Sequence, residues 1–106
     1  MNKILKNITN EMFSADTDYF CKSVGNYRVV RNRGFIYHYY FGYRICLVDL
    51  NKKQFSLYPC GYEKYRLTKA QLNYLQKFYV SKGYEFLGQF DIKVRIYKNK
   101  EFKFYD

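Results

Sequence analysis

The residues with the clearest chemical potential are arginines and aromatic side chains, which are interleaved between residues 28 and 44. Guanidinium groups bind phosphates and aromatic rings stack on unpaired bases, so this combination is typical of surfaces that contact nucleic acid. Arginine suits the task because its planar fork binds phosphate with two hydrogen bonds and also stacks on rings. The segment predicts a binding surface, outside the face that a helix covers, made of Arg28, Arg31, Arg33, Tyr37, Tyr39 and Arg44.

A second basic stretch lies near the end of the chain. Lys93 and Arg95 alternate with Ile92, Val94 and Ile96, which predicts a half-buried strand with its cations on the solvent side. Lys93 and Arg95 therefore join the predicted binding surface. The alternative interpretation is that such cations only solvate the outer face of a sheet, while tyrosines pack against their aliphatic stems.

The charge of the chain is strongly basic and unevenly placed. Its formal net charge is +10, yet residues 1–26 carry three lysines and three acidic residues, so the whole excess lies in residues 27–106. The chain also contains 14 Tyr and 10 Phe, too many for the core of a 106-residue protein to bury completely. These features favour an anionic partner, although charge alone does not choose between RNA, DNA and an acidic protein.

Catalysis finds little support in the residue types. His38 is the only histidine, and a nucleophilic pair with Cys46 or Cys60 would require adjacent strands and a third, orienting group. Three cysteines and one histidine without ligand spacing do not predict a zinc site. We expect no catalytic residue, no metal and no cofactor. The odd cysteine count, with Cys21 as the third, favours reduced thiols in a cytoplasm.

The strongest secondary-structure signal in the sequence is that of one amphipathic helix. Thr68 and Gln71 have the spacing of a capping box, and Gly83 suits the end of a helix. The spacing predicts a helix over about residues 69–82 that packs across a sheet through Leu72, Leu75, Phe78 and Tyr79.

The remaining segments predict strands and an N-terminal helical arm. Turn residues such as Asn32–Gly34 and Gly42 separate apolar runs, with Ile45 and Leu47 expected to face the helix. Ile4, Leu5, Ile8 and Met12 follow a helical period, and a second helical turn is expected near residues 19–24. The expected fold is one α+β domain over residues 1–106, with an antiparallel sheet of four to six strands.

Residues 37–79 resemble small phage-encoded proteins of uncharacterised function. The resemblance rests on a strand ending at Asp49, a tyrosine-containing turn through Tyr62 and Tyr65, and the Thr68 that opens the helix. It implies an origin in a mobile element. Small phage proteins of this kind often act against host systems, CRISPR effectors included, and such a role is what the resemblance implies here.

Together these observations predict a non-enzymatic, phage-type module that binds a nucleic-acid-containing complex, with an anti-CRISPR inhibitor as its sharpest form. The alternatives are an autonomous DNA- or RNA-binding regulatory protein and an interaction protein for an acidic host enzyme. No apolar run reaches the roughly 20 residues that span a bilayer, so no membrane partner is expected. The expected location is the cytoplasm, that of the host cell if the protein is phage-encoded. The oligomeric state is left open.

Overall fold

A six-stranded sheet with two helices forms the molecule in a computed structural model that describes residues 3–59 and 69–90. This architecture confirms the α+β class, the strand number, the N-terminal helix and the helix predicted near residues 69–82. In chain order the elements are α1 (Lys3–Ser14), β1 (Tyr19–Val24), β2 (Tyr27–Asn32), β3 (Phe35–Tyr40), β4 (Tyr43–Asp49), β5 (Gln54–Leu57), α2 (Lys69–Ser81) and β6 (Glu85–Gln89).

The strands lie in the sheet in the order in which they occur in the chain. The pairs from β1 to β5 are antiparallel, as expected, whereas β6 pairs with β5 in parallel. A parallel neighbour needs a crossover long enough to return the chain to the same end of the sheet, and α2 lies within that crossover. The sheet is therefore mixed, and its last strand departs from the expected antiparallel arrangement.

Two tight turns fix the register of the central strands. Arg33 and Gly34 join β2 to β3 with φ angles of 46° and 93°, and Phe41 and Gly42 join β3 to β4 with 52° and 80°. Two-residue hairpins with positive φ at both positions match the right-handed twist of the strands they connect. The turns predicted at these sites are confirmed, and glycine serves as the second residue in each.

Both helices pack on the same face of the sheet, which we call the helix side. α1 lies against β1 and β2, and α2 lies against β5 and β6. The rings of Phe13 and Phe78 meet edge to face at 5.5 Å, so the two helices also touch each other. The buried core beneath them includes Leu5, Ile8, Met12, Val29, Ile36, Ile45, Val48, Phe55, Leu57, Leu75 and Tyr79.

Polar groups on the helix side are paired. His38 Nε2 lies 2.6 Å from the Tyr79 hydroxyl, with both side chains buried. The Gln71 side-chain amide donates to the Tyr27 hydroxyl, which links α2 to β2. These bonds matter because a buried polar group without a partner costs about 1–3 kcal/mol.

Two local predictions were wrong. Tyr19–Val24 is a strand and not a helical turn. Leu47 faces away from the helices, while Cys46 and Val48 face them, because Ile45 is the extra residue of an irregularity between β3 and β4. Such an extra residue reverses the facing of every later side chain in a strand.

Several predictions fall outside the described residues. These are the Thr68 half of the capping box, the turn through Tyr62 and Tyr65, the third cysteine Cys60, and the strand with Ile92, Val94 and Ile96.

Candidate nucleic-acid interface

The face of the sheet opposite the helices, which we call the open face, carries an aromatic stripe along β3. Strand alternation sends Ile36 and His38 to the helix side and leaves Phe35, Tyr37 and Tyr39 on the open face. Phe35 is exposed, and the two tyrosines are half-buried. Neighbouring ring centroids are 6.4 Å apart, with the planes of Tyr37 and Tyr39 inclined by only 22°. This stripe places three aromatic rings in a row on a central strand.

Two arginines flank the stripe at one level of the sheet. Tyr39 pairs with Arg28 on β2 and with Arg44 on β4, so all three side chains lie on the open face. The Arg28 guanidinium carbon lies 5.8 Å from the centre of the Tyr39 ring, and that of Arg44 lies 5.1 Å from the centre of the Tyr58 ring. Resting on rings orients the guanidinium groups. We call Arg28, Tyr39 and Arg44 the arginine row.

The charge of the arginine row is not neutralised by the described part of the protein. In residues 3–59 and 69–90 the ion pair joins Lys22 to Glu11, with nitrogen and oxygen 2.7 Å apart, and it lies on the helix side of β1. Arg28 donates a long hydrogen bond of 3.8 Å to the sulfur of Cys21, a weak acceptor. Arg44 Nε is buried and lacks a hydrogen-bond partner among residues 3–59 and 69–90. Two cations with unused donors therefore stand beside an aromatic surface.

The opposite end of the open face has a different character. Asp49 accepts hydrogen bonds from the backbone of Asn51 and Lys52, and Glu85 accepts one from Gln54. Asp49 and Glu85 lie at the level of Phe35 and Gln54 in the register. The arginine row is therefore separated from these two carboxylates by the length of the central strands.

A cleft of about 390 Å³ adjoins the arginine row where the β1–β2 and β3–β4 turns meet. The amide of Phe41 donates to the carbonyl of Asn26 at 2.9 Å and ties the two turns together. We call this the turn cleft. Its lining residues are Ser23, Gly25, Asn26, Tyr27, Arg28, Tyr39, Phe41 and Gly42.

The structure divides the predicted arginine cluster. Arg31 pairs with Ile36 and faces the helix side, where its charge opposes the rise in the pKa of Tyr79 and Tyr84 that burial causes. Arg33 lies exposed in the β2–β3 turn, at the other end of the sheet from the turn cleft. Arg31 and Arg33 line a separate cleft of about 520 Å³ together with Asp18. The prediction of all four arginines on one face was therefore wrong. Arg31 lies an odd number of residues from Arg28 on β2 and so points to the opposite face, and Arg33 lies in the turn beyond the strand.

Of the predicted surface residues, four come together on the open face: Arg28, Tyr37, Tyr39 and Arg44. Lys93 and Arg95 lie outside the described residues. The sequence interpretation missed Phe35, although its spacing of two from Tyr37 was a sufficient signal. It also missed Tyr58, whose contact with Arg44 depends on strand register, and for this no local signal existed.

His38 and Cys46 are direct partners across β3 and β4, as a nucleophilic pair would require. Burial, however, lowers the pKa of His38 to about 3 and raises the pKa of the Cys46 thiol well above its ordinary range. A cysteine nucleophile needs the opposite shifts, a depressed thiol pKa beside a base that accepts protons. The pair therefore has the properties of core residues, with His38 bonded to Tyr79.

Comparisons with protein-family models, curated proteins and solved structures found no match to this chain. The part of the chain that the structure describes contains no helix long and apolar enough to cross a membrane.

Proposed function

We propose that the open face binds single-stranded nucleic acid. The observation that carries the proposal is the arginine row, in which two guanidinium groups without ion pairs in the described residues flank a ring of the aromatic stripe. The rings stack on bases and the guanidinium groups bind the phosphates between them. The net charge of +10 steers any polyanion toward the chain.

The stripe favours a single strand over a duplex. In a duplex the bases stack on one another and show only their edges, so a flat row of rings gains nothing from them. An unpaired strand can place its bases on Phe35, Tyr37 and Tyr39, whose neighbouring ring centroids are 6.4 Å apart. Base stacking on such rings contributes about 1–3 kcal/mol per base and tolerates any sequence.

The resemblance of residues 37–79 predicts that the protein engages a host nucleoprotein complex. Its most specific version is inhibition of a CRISPR effector, and both stay predictions. Binding at the open face is compatible with them, since a surface that holds a free strand can also compete for a guide or target strand. A pull-down from host lysate with and without nuclease separates the cases. A protein partner retained after nuclease treatment supports the host-complex prediction, whereas loss of all partners supports autonomous binding.

The open-face proposal is tested with two double variants that remove the same charge. R28Q/R44Q removes both cations of the arginine row, and K6Q/K77Q removes two exposed lysines from the helices on the other side of the sheet. Affinity for fluorescent DNA and RNA single strands, and for the matching duplexes, is measured by anisotropy at several salt concentrations.

We expect R28Q/R44Q to weaken single-strand binding and to reduce the log–log salt slope by about 1.4, since each phosphate contact to a single strand contributes about 0.7. K6Q/K77Q should retain the parental slope and nearly the parental affinity. Equal losses in the two variants would show that only bulk charge matters and would overturn the proposal. Tighter binding of the parent protein to duplex than to single strands would overturn it as well.

A further inference from the structure

A second cleft lies at the end of the sheet where the β2–β3 and β4–β5 turns meet, and we call it the β2–β3 cleft. We propose that it binds a phosphate group, held by the guanidinium groups of Arg31 and Arg33. Its volume of about 520 Å³ lies within the range of small-molecule sites. The site does not rest on the proposed function, because the arginine row lies at the other end of the sheet. The lining residues are Asp18, Arg31, Arg33, Gly34, Leu50 and Asn51.

The two arginines of the β2–β3 cleft have no counterion in the described part of the protein. Neither Arg31 nor Arg33 makes an ion pair or a side-chain hydrogen bond with residues 3–59 and 69–90. Arg31 is half-buried, and a cation that is partly withdrawn from water is stabilised by an anion that accepts its hydrogen bonds. Asp18 also lines the cleft but forms no ion pair with either arginine. Two cations against one carboxylate leave the lining positive, with unused donors.

Hydrogen bonds between the turns hold the walls of the cleft in place. The Leu50 amide donates to the Gly34 carbonyl at 2.8 Å, and the Arg33 amide donates to the Asp18 carbonyl at 3.1 Å. The amide nitrogen of the Asn51 side chain lies against Gly34, 2.9 Å from the position that a Cβ would take there. The carboxamide of Asn51 makes no hydrogen bond within the described residues, so it adds a neutral donor to the lining. Walls that are already fixed lower the entropic cost of binding a ligand.

This set of donors favours phosphate over a carboxylate. One guanidinium fork already satisfies both oxygens of a carboxylate. A phosphate has further oxygens around a tetrahedral centre, so it can accept from two guanidinium groups at once. Arg31 on β2 and Arg33 in the following turn supply two such groups from different elements. A phosphate monoester carries about 1.5 to 2 negative charges at pH 7, which matches two cations.

The test measures binding of inorganic phosphate by isothermal titration calorimetry, with the ionic strength held constant by chloride. R31Q/R33Q removes both cations of the β2–β3 cleft, and R28Q/R44Q removes two cations from the arginine row as the matched control. Thermal unfolding confirms that each variant is folded. R33Q alone is a second variant, since Arg33 is exposed in a turn and its substitution leaves the core intact.

A phosphate group can belong to a small molecule or to the end of a nucleic-acid strand. Oligothymidines with a 5′-phosphate, a 3′-phosphate or neither distinguish these sources. If a terminal phosphate strengthens binding to the parent and not to R31Q/R33Q, the cleft holds the end of a strand. If the three oligonucleotides bind alike while inorganic phosphate binds as proposed, the cleft holds free phosphate or a small phosphorylated molecule.

We expect R31Q/R33Q to weaken phosphate affinity about ten-fold or more and R33Q about three-fold or more, which are the factors that lost hydrogen bonds to a charged group produce. R28Q/R44Q should retain the parental affinity for phosphate. The site is overturned if the parent shows no saturable phosphate binding, if R31Q/R33Q and R33Q bind phosphate like the parent, or if R28Q/R44Q loses as much affinity. None of these results decides single-strand binding, which is measured with the unphosphorylated oligonucleotide.

Discussion

The two faces of the six-stranded sheet use aromatic side chains in opposite ways. On the helix side, Tyr79 is fully buried and its hydroxyl meets His38, so the ring and its polar group are both used within the fold. On the open face, Tyr37 and Tyr39 remain half-buried, and the polar groups beside them are cations without ion pairs in the described residues. The comparison teaches that strand alternation, and not residue type, divides the aromatic side chains of this sequence between the core and the open face.

This division has an energetic counterpart. Substitutions on the helix side should change the free energy of unfolding and leave affinity nearly unchanged, whereas those on the open face should do the reverse. Buried apolar groups stabilise the fold through packing, while exposed charges contribute little to its stability. Each prediction below compares one face with the other.

The largest effect is expected from L75A. Leu75 lies on α2 and is fully buried, so its truncation leaves a cavity that should lower the free energy of unfolding by about 2–5 kcal/mol. Urea denaturation measures this loss, and single-strand affinity is then measured where the variant is still folded. Unchanged stability would show that Leu75 is not a core residue.

Y39A should have a smaller effect, and it should change the affinity for single strands instead of the free energy of unfolding. Removal of the ring between Arg28 and Arg44 should weaken single-strand affinity by about 1–3 kcal/mol, or about 5- to 150-fold. Y74A removes a half-buried tyrosine from α2 and serves as the control. If Y74A weakens binding as much as Y39A does, binding does not depend on the open face in particular, and the proposal is contradicted.

The helix side should also carry a pH dependence, through His38. The folded pKa of His38 is about 3 and its ordinary value is 6.5, so between these values the unfolded chain binds a proton that the folded chain does not. Stability should therefore fall as pH falls below 6.5, by at most about 1.4 kcal/mol per unit, or about 2 kcal/mol between pH 7 and pH 5.

H38Q isolates this contribution. Glutamine can still hydrogen-bond to the Tyr79 hydroxyl but does not titrate, so the variant should lose less stability than the parent between pH 7 and pH 5. Urea denaturation of both proteins at the two pH values measures the difference. Identical losses would mean that His38 is not kept neutral by burial.

The sequence predicted α2 well because its signals are local. Leu72, Leu75, Phe78 and Tyr79 recur at helical spacing, and the structure places all four in or against the core. The turn residues Asn32–Gly34 and Gly42 likewise marked the hairpins of the central strands. Local periodicity and turn chemistry were sufficient for these elements.

What depends on pairing between strands was harder to predict. The reversed facing of Leu47 follows from one extra residue, Ile45, which only the register with β3 reveals. Arg31 was misplaced for a simpler reason, since its odd spacing from Arg28 already assigns the two residues to opposite faces of β2. The arginine row could therefore be predicted in part, while the meeting of Arg44 with Tyr58 could not.

The most direct test of the central claim is photocrosslinking of a single-stranded oligonucleotide to the protein, with the modified residue located by mass spectrometry. Trypsin releases residues 34–44 as one peptide that contains the whole of β3, with open-face and helix-side residues in alternation. We predict that crosslinks form at Tyr37 and Tyr39 and spare His38 and Tyr40. Crosslinks at His38 and Tyr40, or confined to peptides from α1 and α2, would contradict the account.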